Sequence, residues 1–182
     1  AHCAHWAGGN GATTLAVATR MKDPAQARTR LRPGLGSDGR GRLALLRFEN
    51  TLGHFMQLDA VQFVGVVTPS ARIADITHEH GAETIDETGG GGINAAASKA
   101  AAWALEKGAS SLLVIHADIP TLADAEIRKL LEAGQSRSVA IAASVDGGTN
   151  AILLTPPDAI DFHFGAGSAA AHENAARKRG VD

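Results

Sequence analysis

A carboxylate at the end of a buried strand can hold a cation against phosphates. The run Leu112-Leu113-Val114-Ile115-His116-Ala117-Asp118-Ile119-Pro120 sets up that chemistry. Four apolar residues in a row read as a strand buried on both faces of a parallel sheet. Ligands of open α/β sheets bind beyond the carboxyl ends of such strands. Asp118 stands there, and Pro120 stops the run. Asp118 is therefore a candidate ligand for Mg2+. Capping a helix that begins near Thr121 is the other reading open to it. Lys22, Arg28 and Arg30 follow an earlier apolar run within one short segment. Cations at a strand end suit phosphoryl groups, and a solvated basic helix face is the alternative.

Two further segments have the composition of ligand loops. Gly89-Gly90-Gly91-Gly92 precedes Ile93, Asn94 and an alanine-rich stretch. Glycine lets backbone come close to a ligand, and free N–H groups at a helix start attract phosphate oxygens. A merely flexible loop explains the same residues, since neither a P-loop GK[ST] nor a GxGxxG pattern is present. Asp146 to Asn150 and Phe162 to Ser168 combine turn-forming glycines with hydroxyls. Gly147, Gly148, Gly165 and Gly167 permit tight turns, while Thr149 and Ser168 could meet a small phosphorylated acid. Ordinary turns are the alternative. His163 and His172 have the chemistry to titrate near neutrality, although each reads first as a surface or packing residue. No Ser/His/Asp elbow, CxxC pair or HExxH helix occurs. The residues thus favour direct attack of one phosphate on another over a protein nucleophile.

These residues need a scaffold, and the chain has the length for one. It has 182 residues, 45% of them hydrophobic but only 4% aromatic, so an aliphatic, finely packed core is expected. The formal net charge of −2 gives no basic surface for nucleic acid. The one cysteine, Cys3, fits a reducing cytosol. No apolar run approaches the ~20 residues of a membrane span, and no secretory leader is visible. Residues 1–13 lack periodicity and read as an irregular extension. Residues 14–182 read as a single domain. Strands are predicted at 15–19, 61–67, 83–86, 112–116, 138–145 and 151–154. Helices are predicted at 25–31, 41–56, 70–80, 93–107 and 122–133. Leu43, Leu46, Phe48, Leu52 and Phe55 form the apolar side of the second. Strand and helix alternate, so the expected architecture is an α/β three-layer sandwich with a mostly parallel central sheet.

Four segments carry a family resemblance: Met21-Lys22-Asp23-Pro24-Ala25-Gln26-Ala27-Arg28-Thr29-Arg30-Leu31, His116-Ala117-Asp118-Ile119-Pro120, Asp146-Gly147-Gly148-Thr149-Asn150-Ala151 and Phe162-His163-Phe164-Gly165-Ala166-Gly167-Ser168. In this order they resemble the 2-phospholactate / phosphoenolpyruvate guanylyltransferases of coenzyme F420 biosynthesis. The last two are the specific ones; the first two are shared more widely among nucleotidyltransferases. The resemblance implies a GT-A-like nucleotidyltransferase fold. It implies attack of a small phosphorylated three-carbon acid on the α-phosphate of GTP, with pyrophosphate leaving. By position it implies that Asp118 holds Mg2+. Lys22 and Arg28 would face the triphosphate, Gly92 to Asn94 would line the nucleotide, and Thr149, Gly165 and Ser168 would hold the acid. Arg28 stands where the family usually has Lys, which keeps the charge and changes the geometry. The family usually continues into an acidic Asp-x-Asp-Thr-Pro segment that adds metal ligands and that this sequence, ending at Asp182, does not contain; either the domain is truncated or its metal site is completed differently. A sugar-phosphate nucleotidyltransferase of the same fold and a non-catalytic nucleotide-binding relative are the two alternatives.

Overall fold

The computed structural model describes residues 13–24, 37–116, 124–133 and 138–181. The described residues form a six-stranded sheet in the order β3-β2-β1-β4-β6-β5. The strands are β1 (Leu15–Arg20), β2 (Val61–Thr68), β3 (Glu83–Asp86), β4 (Ser111–His116), β5 (Ser138–Ala143) and β6 (Thr149–Thr155). The helices are α1 (Ser37–Met56), α2 (Ala71–Glu79), α3 (Gly92–Glu106), α4 (Asp124–Ala133) and α5 (Ser168–Arg179). The first four strands in the sheet order pair in parallel. β6 runs antiparallel to both β4 and β5, as a hairpin arm inserted between them. The expectation of a mostly parallel sheet with helices on both faces is met.

Both predicted apolar runs lie in the sheet interior. Leu112 to Ile115 are buried between β1 and β6, and Val64 to Val67 between β1 and β3. Two cores flank the sheet. One face gathers Phe48, Leu52, Phe55, Ile73, Ile127 and Leu130 from α1, α2 and α4. Phe48, Leu52 and Phe55 recur at i, i+4 and i+7, the inward stripe of a helix, and each stabilises by about 1.5–3 kcal/mol on burial. Leu43 and Leu46, expected on that stripe, are instead exposed. The opposite face is floored by Ala96, Ala97, Ala100, Ala101 and Ala104 of α3. Methyl-sized side chains bring that helix close to the strands, which is how an alanine-rich chain with few aromatics still closes its core. α2 begins where Ser70 Oγ accepts a hydrogen bond from the Ile73 amide, the side-chain cap that a serine at a helix start supplies.

α5 was not expected. Its buried positions are Ser168, Ala169, His172 and Ala176, a stripe of small and polar residues with no apolar periodicity to reveal it. The predicted helix over 25–31 lies outside the described residues. No helix among the described residues is long and apolar enough to cross a membrane.

Candidate active site

The strand order reverses direction at β1, with β2 and β3 on one side and β4 on the other. In doubly wound sheets such a switch point opens a crevice at the carboxyl ends. The structure has a cleft there. It is lined by Thr19 and Arg20 of β1, Ile115 and His116 of β4, Ile93 and Ala97 of α3, and Phe164. Arg20 and His116 are register partners at the strand ends. Thr19 is 3% exposed, and its hydroxyl has no hydrogen-bond partner among the described residues. An unpartnered buried hydroxyl costs about 1–3 kcal/mol, so Thr19 Oγ1 is a polar group available to a ligand in the cleft. Arg20 is tied to Glu87, which is 3% exposed. Arg20 Nε donates to both carboxylate oxygens at 3.0 Å, and its terminal nitrogen donates to Oε1. Neither Thr19, Arg20 nor Glu87 stood out in the sequence. The only signal was the polar ending of an apolar strand.

The glycine loop runs past Glu87 into α3. Its glycines at 89, 90, 91 and 92 have φ of 94°, 68°, 101° and 77°, the left-handed region in which a side chain is strained. The sequence therefore spends glycine there for backbone shape, beyond mere flexibility. The loop is strapped from outside. Lys99 Nζ donates to the carbonyls of Asp86 and Thr88, both at 2.9 Å. The Asp86 carboxylate accepts from the hydroxyl and amide of Thr88, and those two bonds hold its pKa below the usual value. Gly91 is the N-cap of α3 and gives no side-chain cap, so the first-turn amides stay open to an anion. Asn94, expected to line the nucleotide, uses its amide otherwise. Oδ1 accepts from Phe164 N at 2.6 Å, and Nδ2 donates to Phe164 O at 3.2 Å.

Asn94 thus fastens the glycine loop to the second candidate segment. Thr149 is the first residue of β6 rather than part of a loop, and Ser168 is the first of α5. Nineteen positions apart, their hydroxyls meet: Ser168 Oγ donates to Thr149 Oγ1 at 3.0 Å. The Gly165 carbonyl accepts from Ser168 N at 3.2 Å, which joins the three predicted residues in one unit. Gly165 has φ of 141°, and a Cβ built on it would meet nothing within 4 Å. Beneath them lies His172, 0% exposed. Its Nδ1 is 3.1 Å from Thr149 Oγ1, and its Nε2 accepts from the His163 amide at 2.9 Å. Burial, with the neighbouring His163 charge, lowers its pKa from 6.5 to about 4. His172 is therefore neutral at pH 7, a packing residue as read, and not the neutral-pH titrator its residue type allows. Phe164 bridges the two regions, edge-on to His172 at 5.1 Å and to His116 at 5.4 Å.

Lys22 is exposed just beyond β1. Asp118, two residues past β4, and Arg28 lie outside the described residues. Among the described residues no group of three or more His, Cys, Asp or Glu side chains could hold a metal ion. Mg2+ needs only one or two carboxylates beside substrate phosphates, and the expectation of it rests on Asp118.

Comparison with known proteins agrees with this geometry. The model of the family "Guanylyl transferase CofC like" matches residues 16–182. The 3-phospho-D-glycerate guanylyltransferase of Colwellia psychrerythraea strain 34H is 40% identical over 162 residues, 88% of this chain and 77% of that protein. The phosphoenolpyruvate guanylyltransferase of Sphaerobacter thermophilus is 35% identical over 170 residues, 93% of this chain and 81% of that one. The fold is that of a nucleotide-diphospho-sugar transferase from Desulfovibrio desulfuricans G20, with a TM-score of 0.75 at 18% identity over 92% of this chain and 77% of the other. It is also that of a nucleotidyl transferase from Methanothermobacter, at TM-score 0.60 and 14% identity over 92% and 84%. From matching motifs, switch-point cleft and family model together, the chain belongs to the CofC-like guanylyl transferases.

Proposed function

We propose that this chain transfers GMP from GTP to a small phosphorylated three-carbon acid, namely phosphoenolpyruvate, 2-phospho-L-lactate or 3-phosphoglycerate, in the coenzyme F420 route and in the cytoplasm. The observation that carries this reading is the coupling of two ligand segments. Thr149, Gly165 and Ser168 form one hydrogen-bonded unit, and Asn94 ties its Phe164 backbone to the start of α3. A transfer between two phosphates requires two anion sites held side by side. In the proposed step an oxygen of the acid's phosphate attacks the α-phosphorus of GTP. A new P–O–P bond forms, the α–β bridging P–O bond breaks, and pyrophosphate leaves with that electron pair. No side chain becomes a nucleophile.

The open amides of the Gly92 to Asn94 turn are assigned to the nucleotide. Lys22 and Arg28 are assigned to the triphosphate, where cations offset the charge that shifts to the leaving group. Thr149, the Gly165 backbone and Ser168 are assigned to the acid. Asp118 is proposed as a ligand of Mg2+, which would neutralise phosphate charge.

The test is a matrix of four nucleoside triphosphates against the three acids and a sugar 1-phosphate, read by pyrophosphate release and product mass. The expected result is a guanylylated acid from GTP alone. Product from a sugar phosphate, or none from any acid, would sink the reading. Asp118→Asn should keep the melting temperature and lower Mg2+-dependent turnover by orders of magnitude. Near-normal turnover would remove Asp118 from the site.

A further inference from the structure

We propose that His172 is a positioning residue for the phosphorylated acid: it commits Thr149 Oγ1 to accepting hydrogen bonds, and so leaves the Thr149 proton free for the ligand. The inference rests on the reading that Thr149 and Ser168 hold the acid.

The assignment of protons follows from one group that has no choice. A backbone amide only donates, so Nε2 of His172, facing His163 N at 2.9 Å, must be the unprotonated acceptor. A neutral imidazole carries one proton, which is then on Nδ1. Nδ1 lies 3.1 Å from Thr149 Oγ1 and donates to it. Ser168 Oγ donates to the same oxygen at 3.0 Å. Both incoming bonds occupy the lone pairs of Thr149. Its own O–H finds no acceptor among the described side chains, and an anion is the partner that would take it. Without the fixed Nδ1–H, the hydroxyls of Thr149 and Ser168 could satisfy each other and His172, and no proton would be committed outward.

The ring is held for this task. It is fully buried, Phe164 lies edge-on at 5.1 Å with 76° between the planes, and a flipped ring would set carbons against Thr149 Oγ1 and the His163 amide and lose both hydrogen bonds. That turn is fixed independently through Phe164 and Asn94. Burial keeps the ring neutral, and a charged ring would lose the acceptor that the His163 amide requires. His163 is the titratable neighbour that faces it, at 6.1 Å between ring centres.

The test begins with the unaltered protein. Nitrogen-15 NMR of labelled histidine at pH 7 should show the Nδ1–H tautomer for His172; the Nε2–H tautomer would overturn the proposal without any variant. Kinetics with GTP, phosphoenolpyruvate and 3-phosphoglycerate then separate the roles. His172→Leu should raise KM for the acid roughly 10- to 100-fold, the cost of one hydrogen bond to a charged group, while KM for GTP changes less than about threefold. His172→Asn places an amide N–H near the Nδ1 position and should recover part of the loss. Equal loss in both variants, or equal rises in both KM values, would overturn the proposal. Thr149→Val and Ser168→Ala identify which idea has failed. If they raise the acid KM and His172→Leu does not, this inference alone falls. If they leave it unchanged, the acid site itself is misplaced. Should His172→Leu fail to fold, the tautomer and His172→Asn still decide.

Discussion

The two loops that meet at Asn94 are built on opposite plans. The glycine loop is held from outside by charge. Lys99 straps its carbonyls, Asp86 caps Thr88, and Arg20 clamps Glu87. The Phe162 to Ser168 turn is held from inside by packing. Phe162 stacks on Phe164 at 5.9 Å, Phe164 meets His172, and His172 binds both the turn and Thr149. A strap of exposed charges can loosen and re-form, because each contact is weak and screened. A buried hydroxyl–imidazole unit cannot, because each unmade bond costs the full desolvation of its group. A loop that admits and releases a nucleotide suits the first plan. A small acid recognised atom by atom suits the second.

The sharpest break in this comparison is Arg20, the one member of the charged plan whose partner is buried. Arg20→Leu leaves the Glu87 carboxylate, 3% exposed, without its counterion. Stranding one half of a buried pair costs roughly 3–5 kcal/mol. The expected drop is visible in a urea midpoint. The double variant Arg20→Leu/Glu87→Leu should recover most of it, since replacing both partners is often near neutral. If the single variant loses less than about 1 kcal/mol, the pair is not buried as described.

The packed plan has its own signature in pH. His172 has a folded pKa of about 4 against 6.5 when unfolded. Between those values the unfolded chain binds more protons, so stability rises with pH across the window. The full benefit is present above pH 6.5 and is lost as pH falls towards 4, by up to ~3 kcal/mol. His172→Asn should flatten that window. A slope unchanged by the substitution would assign the titration to another group.

Much of this arrangement was open to reading in the sequence. Leu112 to Ile115 announced an interior strand because burial on both faces leaves a continuous apolar run, and Val61 to Val67 was legible despite Gln62 and Gly65. Thr149, Gly165 and Ser168 could be picked out by type and motif, and the structure joins them. What stayed hidden was whatever depended on partners distant in sequence. α5 buries Ser168, Ala169, His172 and Ala176, so its inward stripe looks polar, and the helix was missed although its histidine reads as a surface or packing residue. Leu43 and Leu46 fit a helical stripe yet stay exposed, because in that turn Ala44 and Leu45 are the residues that pack against the core. Gly65 read as an interruption of its strand. It is a seat, since a Cβ there would lie 2.8 Å from the Trp103 ring and from Ile85 Cδ1.

A smaller effect sharpens the contrast at the turn itself. Gly165 has φ of 141°, where any side chain is strained, and among the described residues beyond its chain neighbours no atom lies within 4 Å of where its Cβ would be. Gly165→Val should therefore cost roughly 1–3 kcal/mol in backbone strain without any core clash. The new side chain would occupy open space beside the turn. We expect KM for the acid to rise or turnover to be lost, while KM for GTP is retained. A variant that folds and keeps wild-type kinetics would show that the acid does not approach this backbone.

The smallest effect belongs to the strap. Lys99 is partly exposed, and its ammonium donates to two carbonyls, those of Asp86 and Thr88 at 2.9 Å, beside the exposed Asp86 carboxylate. Exposed contacts of this kind are worth about 1 kcal/mol or less. Lys99→Met keeps the aliphatic stem and removes only the donor. Global stability should fall by less than about 1 kcal/mol. The four glycines, whose left-handed backbone nothing else prefers, should then sample other conformations. Hydrogen exchange at Thr88 to Gly92 should quicken, whereas exchange at His163 and Phe164 should not, because those amides answer to His172 and Asn94. KM for GTP should rise a few-fold, with KM for the acid unchanged. If exchange quickens equally in both loops, Asn94 couples them so tightly that the two plans are one unit, and the comparison fails at its root.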